Sequence, residues 1–213
     1  MTDPYADIRP FNDAEVATVL RRLLRNRELL DTLASRGVSG LAARIPALAR
    51  LLVRLRLARE LRGVNDVHGV QMVIKAYVER MIAETTGGLS VSGLDRLDPE
   101  RAYLFMSNHR DIAMDPAFTN YAMHLAGHQT LRIAIGDNLL TKPWVSDLMR
   151  VNKSFIVKRS VSGPRELLAA SRTLAHYIQH SIQQDNVPVW LAQREGRAKD
   201  GLDRTEPAVV KML

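Results

Sequence analysis

Cysteine is absent from the 213-residue sequence, which excludes a disulfide framework, a catalytic thiol and a Cys-ligated metal site. No run approaches the roughly 18 consecutive apolar residues of a membrane-spanning helix. The first residues are polar and acidic and contain no apolar core of a signal peptide, so we expect an intracellular protein. Neither a Gly-x-Gly-x-x-Gly motif nor a Gly-Lys-Ser/Thr phosphate loop occurs, which argues against nucleotide binding.

Aromatic residues make up only 5% of the sequence, whereas 30 Lys and Arg against 23 Asp and Glu give a net charge of +7. Acidic residues are missing between Thr32 and Arg59. That segment contains six arginines: Arg36, Arg44, Arg50, Arg54, Arg56 and Arg59. Such a segment attracts polyanions, either anionic lipid head groups or nucleic acid. Because few aromatic residues lie near the basic segments and no nucleic-acid-binding motif occurs, we expect a membrane surface rather than nucleic acid.

The first 88 residues are predicted to form a helical region. Apolar residues recur at helical spacing over 14–35, and this helix is expected to end at Gly37. A second helix is expected after Pro46. Its leucines have the i, i+3, i+4, i+7 spacing of an apolar helix face (Leu48, Leu51, Leu52 and Leu55). We expect this face to pack within the protein, and the alternative is a helix that binds a membrane surface. A third helix is expected over 70–84, before the Gly87-Gly88 pair.

Residues 89–213 show a different pattern, in which short β-rich runs alternate with helical segments. The predicted strands are LSVSGL, AYLFMSN, LRIAI, SFIVKR and VPVWLAQ. The predicted helices start at Pro116, around Leu139 and at Pro164. This alternation is typical of an α/β domain with a largely parallel sheet flanked by helices. We predict that fold for 89–213, with an N-terminal helical region over 1–88.

Three polar segments follow predicted strands, where a parallel sheet usually carries its functional loops. They are SNHRD at 107–111, KR at 158–159 and QREGR at 193–197. Each one alone is compatible with an ordinary turn that carries solvated charges. Together they place a histidine beside arginines suited to binding a phosphate or carboxylate group.

His109 follows an apolar strand and precedes two carboxylates, Asp111 and Asp115. The pair Asp115-Pro116 is predicted to be the N-cap and first residue of the next helix. A carboxylate held there would fix the tautomer of the imidazole and allow His109 to act as a general base. The alternative is a structural histidine in the loop, and the sequence alone leaves open which aspartate is its partner.

Two further histidine pairs have i, i+4 spacing, His124/His128 and His176/His180. Neither contains the glutamate of a His-Glu-x-x-His motif, and no third ligand stands out in the sequence. We therefore predict solvated helix faces at these positions, and no metal site.

The three polar segments resemble the motifs of the glycerolipid acyltransferase family, the glycerol-3-phosphate and lysophosphatidate acyltransferases. NHRDIAMD (108–115) is similar to the family's Asn-His-x4-Asp motif, and IVKR (156–159) to its second motif, an apolar pair followed by one residue and Arg. EGRAKDG (195–201) is similar to its Glu-Gly-x-Arg motif. The order and spacing of the motifs agree over about residues 89–213.

The sequence departs from the family pattern at three points. Five residues rather than four separate His109 from Asp115, which we interpret as a one-residue insertion in the loop. The third motif has no residue between Gly196 and Arg197. The sequence stops at Leu213, before the proline-containing fourth motif, so the resemblance leads us to expect an α/β domain that is incomplete at its C-terminus.

The resemblance implies transfer of a fatty acyl group from acyl-CoA or acyl-carrier protein to the hydroxyl of glycerol phosphate or a lysophospholipid. His109 and Asp115 would supply the general base, without a cofactor. The substrate-binding residues would be Asn108, Arg110, Lys158, Arg159, Glu195, Gly196 and Arg197. The basic N-terminal region would hold the enzyme on the cytoplasmic face of an anionic membrane.

Two functions other than an enzyme are also compatible with the sequence. One is a peripheral membrane-binding module with a vestigial catalytic loop, and the other is a nucleic-acid-binding protein. Salt-sensitive binding to liposomes but not to oligonucleotides would separate these two, and thioester-dependent formation of a lipid product would separate the enzyme from both.

Overall fold

The computed structural model of the chain describes residues 3–37, 39–40, 44–194, 196–198 and 204–213. These residues form eight α-helices and four β-strands. In chain order the elements are α1 (Asp13–Leu23), α2 (Arg27–Gly37), α3 (Pro46–Glu60), α4 (Val67–Thr85), β1 (Leu104–Ser107), α5 (Met114–Leu125), β2 (Arg132–Gly136), α6 (Pro143–Val151), β3 (Ser154–Val157), α7 (Pro164–Gln183), β4 (Val189–Ala192) and α8 (Pro207–Met212).

The four strands form one parallel sheet with the order β1-β4-β2-β3. The α/β class with a parallel sheet flanked by helices, predicted from the sequence, is confirmed. β4 lies inside the sheet, and its side chains Val189, Trp190 and Leu191 are buried. Because all four strands are parallel, their carboxyl ends lie at the same edge of the sheet, where the polar segments follow them.

Helices cover both faces of the sheet. On one face, α7 contributes Leu174, Tyr177 and Ile178 to a buried cluster with residues of β3 and β4. On the other face, Met123 of α5 packs with Trp190 and other sheet residues. This two-sided burial is typical of parallel sheets and explains why the strands are rich in apolar residues.

The chain divides into two compact units. The first comprises Met1–Pro10, Val78–Leu139 and Lys153–Leu213, and the second Phe11–Tyr77 and Leu140–Asn152. The sheet belongs to the first unit. In the second unit, α6 packs with α1 and joins a core that includes Val16, Val19, Leu20, Leu23 and Val151. This grouping differs from a division after residue 88, which stays a prediction.

One detail of the predicted N-terminal helices is corrected here. The single helix predicted over 14–35 is broken between Leu23 and Arg27. The Asn26 carboxamide oxygen accepts a hydrogen bond from the Leu29 amide at 2.9 Å, which starts a new helix in the manner of an N-cap.

The strand predicted at LSVSGL does not form. Residues 89–93 are irregular, and Leu94–Arg96 form a short 3-10 turn. Leu89 and Val91 are 38% and 49% exposed, so these apolar side chains have no buried face to join. Gly93 has a positive φ of 89°, which ends extended structure here.

The orientation predicted for α3 is also wrong. Its leucines Leu48, Leu51, Leu52 and Leu55 are 38–58% exposed, and Ala49 is its buried apolar residue. On the packed side, the Arg50 guanidinium donates to Asp31 of α2 at 2.8 Å. Helical spacing reveals an apolar face but does not reveal whether protein covers it. No helix within the described part of the chain is long and apolar enough to cross a membrane.

Candidate active site

The first and third polar segments meet at the carboxyl end of the sheet because β1 and β4 are neighbouring strands. The Gln193 amide donates to the Ser107 carbonyl at 3.0 Å. The Gln193 side chain donates to the Asn108 carboxamide oxygen at 2.7 Å. Asn108 thereby links the loop after β1 to the loop after β4.

The partner of His109 is Asp115. Nδ1 of His109 lies 3.0 Å from Oδ2 of Asp115, and the two side chains are only 15% and 21% exposed. A neutral imidazole that donates from Nδ1 to a carboxylate carries its lone pair on Nε2. The arrangement thus provides an oriented proton acceptor in a partly shielded position.

The position of Asp115 in α5 differs from the prediction. The helix begins at Met114, so Asp115 and Pro116 are its second and third residues and not its N-cap and first residue. Oδ2 of Asp115 also accepts hydrogen bonds from the amides of Arg110 and Asp111, at 2.6 and 3.0 Å. The loop curls around this carboxylate, which accommodates five residues between His109 and Asp115.

Asp111 has a separate, local role. Its Oδ1 accepts hydrogen bonds from the amides of Met114 and Ala113, at 2.8 and 2.9 Å. These two bonds are the main reason that the pKa of Asp111 lies below its usual value. Asp111 therefore satisfies the amino-terminal amides of α5, while Asp115 faces the histidine.

Trp190 supports the histidine ring and was not predicted as a site residue. Its ring lies edge-on to His109 with centroids 5.8 Å apart and an interplanar angle of 67°. Its indole N–H donates to the Ser107 hydroxyl at 3.0 Å. The sequence shows Trp190 only as an apolar strand residue, so nothing in the pattern distinguished it from the core.

A backbone hydrogen bond joins the third segment to the first. The Ala198 amide donates to the His109 carbonyl at 2.8 Å. Gly196 has a φ of +72°, a conformation that residues with a side chain adopt rarely. The positive charge of Arg197 further lowers the pKa of Asp111, after its two amide bonds. Glu195 lies outside the described residues, as do 199–201 of the same motif.

The second segment lies further along the sheet edge, because β2 separates β3 from β4. Nζ of Lys158 is 3.5 Å from a carboxylate oxygen of Asp7. The Arg159 amide donates to Asp137, in the loop after β2, at 3.1 Å. Arg110, in the first segment, is exposed. The structure thus brings together Asn108, His109, Asp115 and the loop 196–198, with Lys158 and Arg159 two strands away from β4.

Within the part of the chain that the structure describes, no group of three or more His, Asp or Glu side chains is arranged to hold a metal ion. His180 of the second histidine pair faces Asp185, with Nδ1 3.3 Å from Oδ2.

A family model described as Acyltransferase matches residues 88–205, more than half of the chain. The matched range includes all three polar segments and the strands that precede them. No curated protein matches the sequence.

Proposed function

The chain belongs to the acyltransferase family, the family of glycerolipid acyltransferases, and from this membership we propose that it transfers a fatty acyl group from acyl-CoA or acyl-carrier protein to the hydroxyl of a glycerol phosphate or lysophospholipid. The enzyme is an acyltransferase; the donor, the acceptor and the catalytic base are our proposal. The observation that supports the base most strongly is the 3.0 Å contact between His109 and Asp115.

In the proposed reaction, Nε2 of His109 takes the proton of the acceptor hydroxyl as its oxygen attacks the thioester carbonyl. Asp115 stabilises the imidazolium that forms. The tetrahedral intermediate collapses, the carbon–sulfur bond breaks, and the imidazolium returns its proton to the leaving thiolate. The products are an ester and a free thiol. General base catalysis of this kind typically contributes about 10²–10⁴-fold.

The basic groups that follow β1, β3 and β4 suit a phosphorylated acceptor. We assign phosphate and glycerol binding to Arg159 and Arg197, with Lys158 and Arg110 as further cations. The positive φ of Gly196 lets the backbone of the third loop turn beside His109. Asn108 holds the first and third loops together, and Glu195 completes the proposed set. Positioning of the hydroxyl against the base is the second source of rate.

The proposal is tested by thiol release from palmitoyl-CoA and palmitoyl-acyl-carrier protein, with sn-glycerol 3-phosphate or 1-palmitoyl-lysophosphatidate as acceptor. We expect release that depends on both donor and acceptor. Release that is independent of acceptor would indicate a thioesterase instead. No release with any donor, together with vesicle binding, would favour a membrane-binding module that lacks catalysis.

Arg159→Ala is expected to raise the apparent KM for the phosphorylated acceptor roughly ten- to hundredfold, because a charge-assisted hydrogen bond to phosphate is lost. The KM for the acyl donor should stay unchanged. Arg172→Ala, an exposed arginine on α7, is the control and should alter neither constant. A rise in the donor KM instead would place Arg159 on the thioester side of the site.

We further propose that α3 docks the enzyme on an anionic membrane on the cytoplasmic side. Its exposed leucines form an apolar row, and Arg59 continues this row one turn beyond Leu55. Arg54 and Arg56 are exposed beside it. An apolar row flanked by arginines suits insertion among acyl chains with the cations at the lipid head groups.

The double variant Leu51→Ser/Leu55→Ser is expected to weaken binding to vesicles of phosphatidylcholine and phosphatidylglycerol by about tenfold or more, since each leucine loses apolar burial. Co-sedimentation at two salt concentrations measures the effect. Leu167→Ser/Leu168→Ser is the matched control, because these α7 leucines are 52% and 53% exposed but lie outside the basic segment. Equal binding of both double variants would contradict docking through α3.

A further inference from the structure

The backbone at Arg159 is held by a carboxylate that belongs to a different strand. Asp137 follows β2, and its Oδ1 accepts a hydrogen bond from the Arg159 amide at 3.1 Å. Its Oδ2 accepts one from the Ser160 amide at 3.1 Å, and the Ser160 hydroxyl donates to Oδ1 at 3.2 Å. Three bonds from the loop after β3 thus converge on one side chain.

The Arg159 side chain lies across the end of β2. A Cβ atom on Gly136 would lie 3.3 Å from Nε and 3.4 Å from Cδ of Arg159, and 2.3 Å from the carboxamide oxygen of Asn138. Glycine at this position therefore leaves room for the arginine. Because the strand order is β1-β4-β2-β3, a side chain that runs from β3 over β2 points towards the strands that carry the His109 site.

Asp137 is suited to hold this loop as an ionised group. Burial raises the pKa of its carboxyl, but the amides of Ser160 and Arg159 and the Ser160 hydroxyl lower it, and the net shift is downward. A charged acceptor makes stronger bonds to backbone amides than a neutral one. Asp137 holds the backbone amide of Arg159. Fixing the backbone there restricts the directions in which the long, flexible side chain of Arg159 can extend.

We propose that Asp137 is a positioning residue for acceptor binding: it fixes the loop after β3 so that Arg159 extends across Gly136 towards the His109 site and meets the phosphate of the acceptor. This inference rests on the proposed function, in which Arg159 binds that phosphate. Asp137 lies outside the three motifs, and the sequence marks it only as an aspartate after a strand.

The test is a double-mutant cycle with Asp137→Ala and Arg159→Ala, measured as the KM for sn-glycerol 3-phosphate or 1-palmitoyl-lysophosphatidate, whichever the wild-type protein acylates. Asp137→Ala should raise the acceptor KM by about tenfold, because an Arg159 side chain that is no longer held in position binds the phosphate of the acceptor more weakly. The donor KM should not change. In the double variant the acceptor KM should equal that of Arg159→Ala alone, since Asp137 has nothing left to position.

Two controls separate positioning from general stability. Asp185→Ala removes a carboxylate that binds Arg132 at 2.6 Å, at the amino end of β2, and should leave the acceptor KM unchanged. Asp137→Asn keeps one acceptor oxygen and a similar shape, so it should give an intermediate KM even if Asp137→Ala folds poorly. Thermal unfolding of every variant is measured alongside the kinetics.

The outcomes distinguish this inference from the proposed function. If Arg159→Ala raises the acceptor KM but Asp137→Ala and Asp137→Asn do not, Asp137 has no positioning role. The assignment of phosphate binding to Arg159 is then still supported. If the two substitutions have additive effects on the acceptor KM, Asp137 acts independently of Arg159 and the inference is wrong. If Arg159→Ala has no effect on the acceptor KM, both the assignment of phosphate binding to Arg159 and the positioning role of Asp137 are wrong.

Discussion

Replacing His109 by alanine is expected to lower the rate of acyl transfer by about 10²–10⁴-fold, the usual contribution of a positioned general base. The reason is that the acceptor hydroxyl then has no group to take its proton. Substrate KM values should change far less than kcat, because the imidazole acts mainly in the transition state. Initial rates of ester formation with saturating donor and acceptor measure the effect.

His176→Ala is the matched control for this substitution. His176 is an exposed residue of α7, so its loss removes a histidine without touching the loop after β1. Near-normal turnover by His109→Ala, at a folded fraction equal to that of the control, would show that the loop carries no chemistry.

Asp115→Asn is expected to lower kcat by about two to four orders of magnitude, since the imidazolium loses its counter-charge and the tautomer is no longer fixed. Asparagine keeps the size of the side chain, which limits the structural cost. The substitution also weakens the bonds from the Arg110 and Asp111 amides to Oδ2, so activity must be compared at matched folded fraction.

Asp111→Asn is the companion measurement and should be much milder for kcat. Asp111 binds the Ala113 and Met114 amides through its Oδ1, so its loss should appear first in thermal stability. If Asp111→Asn is inactive while Asp115→Asn keeps near-normal turnover, the assignment of the histidine's partner is wrong.

The sequence was sufficient for the fold class and for the ends of the strands that carry the site. Alternating β-rich and helical runs predicted a parallel sheet, and periodicity locates such elements well when they are buried. The strand prediction failed at LSVSGL, because an apolar segment also needs a neighbouring strand to pair with, and composition does not reveal whether one is present. Periodicity also failed for the exposed row of α3, because a helical pattern does not specify what covers it.

Within the site, the predicted contact between His109 and Asp115 is present despite the extra loop residue. The resemblance to the family favoured Asp115 over Asp111. The sequence did not predict the separate capping role of Asp111, because both aspartates lie close to the predicted start of the helix and either one could cap it. Trp190 and Asp137 were missed, since their roles depend on the order of strands in space and not on the order in the chain.

In the reaction that we propose, this protein forms an ester by direct transfer of the acyl group to a hydroxyl that His109 deprotonates. Incubation of wild-type protein and His109→Ala with isotope-labelled palmitoyl-CoA or palmitoyl-acyl-carrier protein, each with and without acceptor, followed by mass spectrometry of the lipids and of the intact protein, tests it most directly. We expect labelled acyl ester and free thiol in equal amounts from the wild type, only when acceptor is present, with no labelled protein and at least about a hundredfold less ester from His109→Ala. Equal ester formation by the two proteins, or label bound covalently to the protein, would contradict the account.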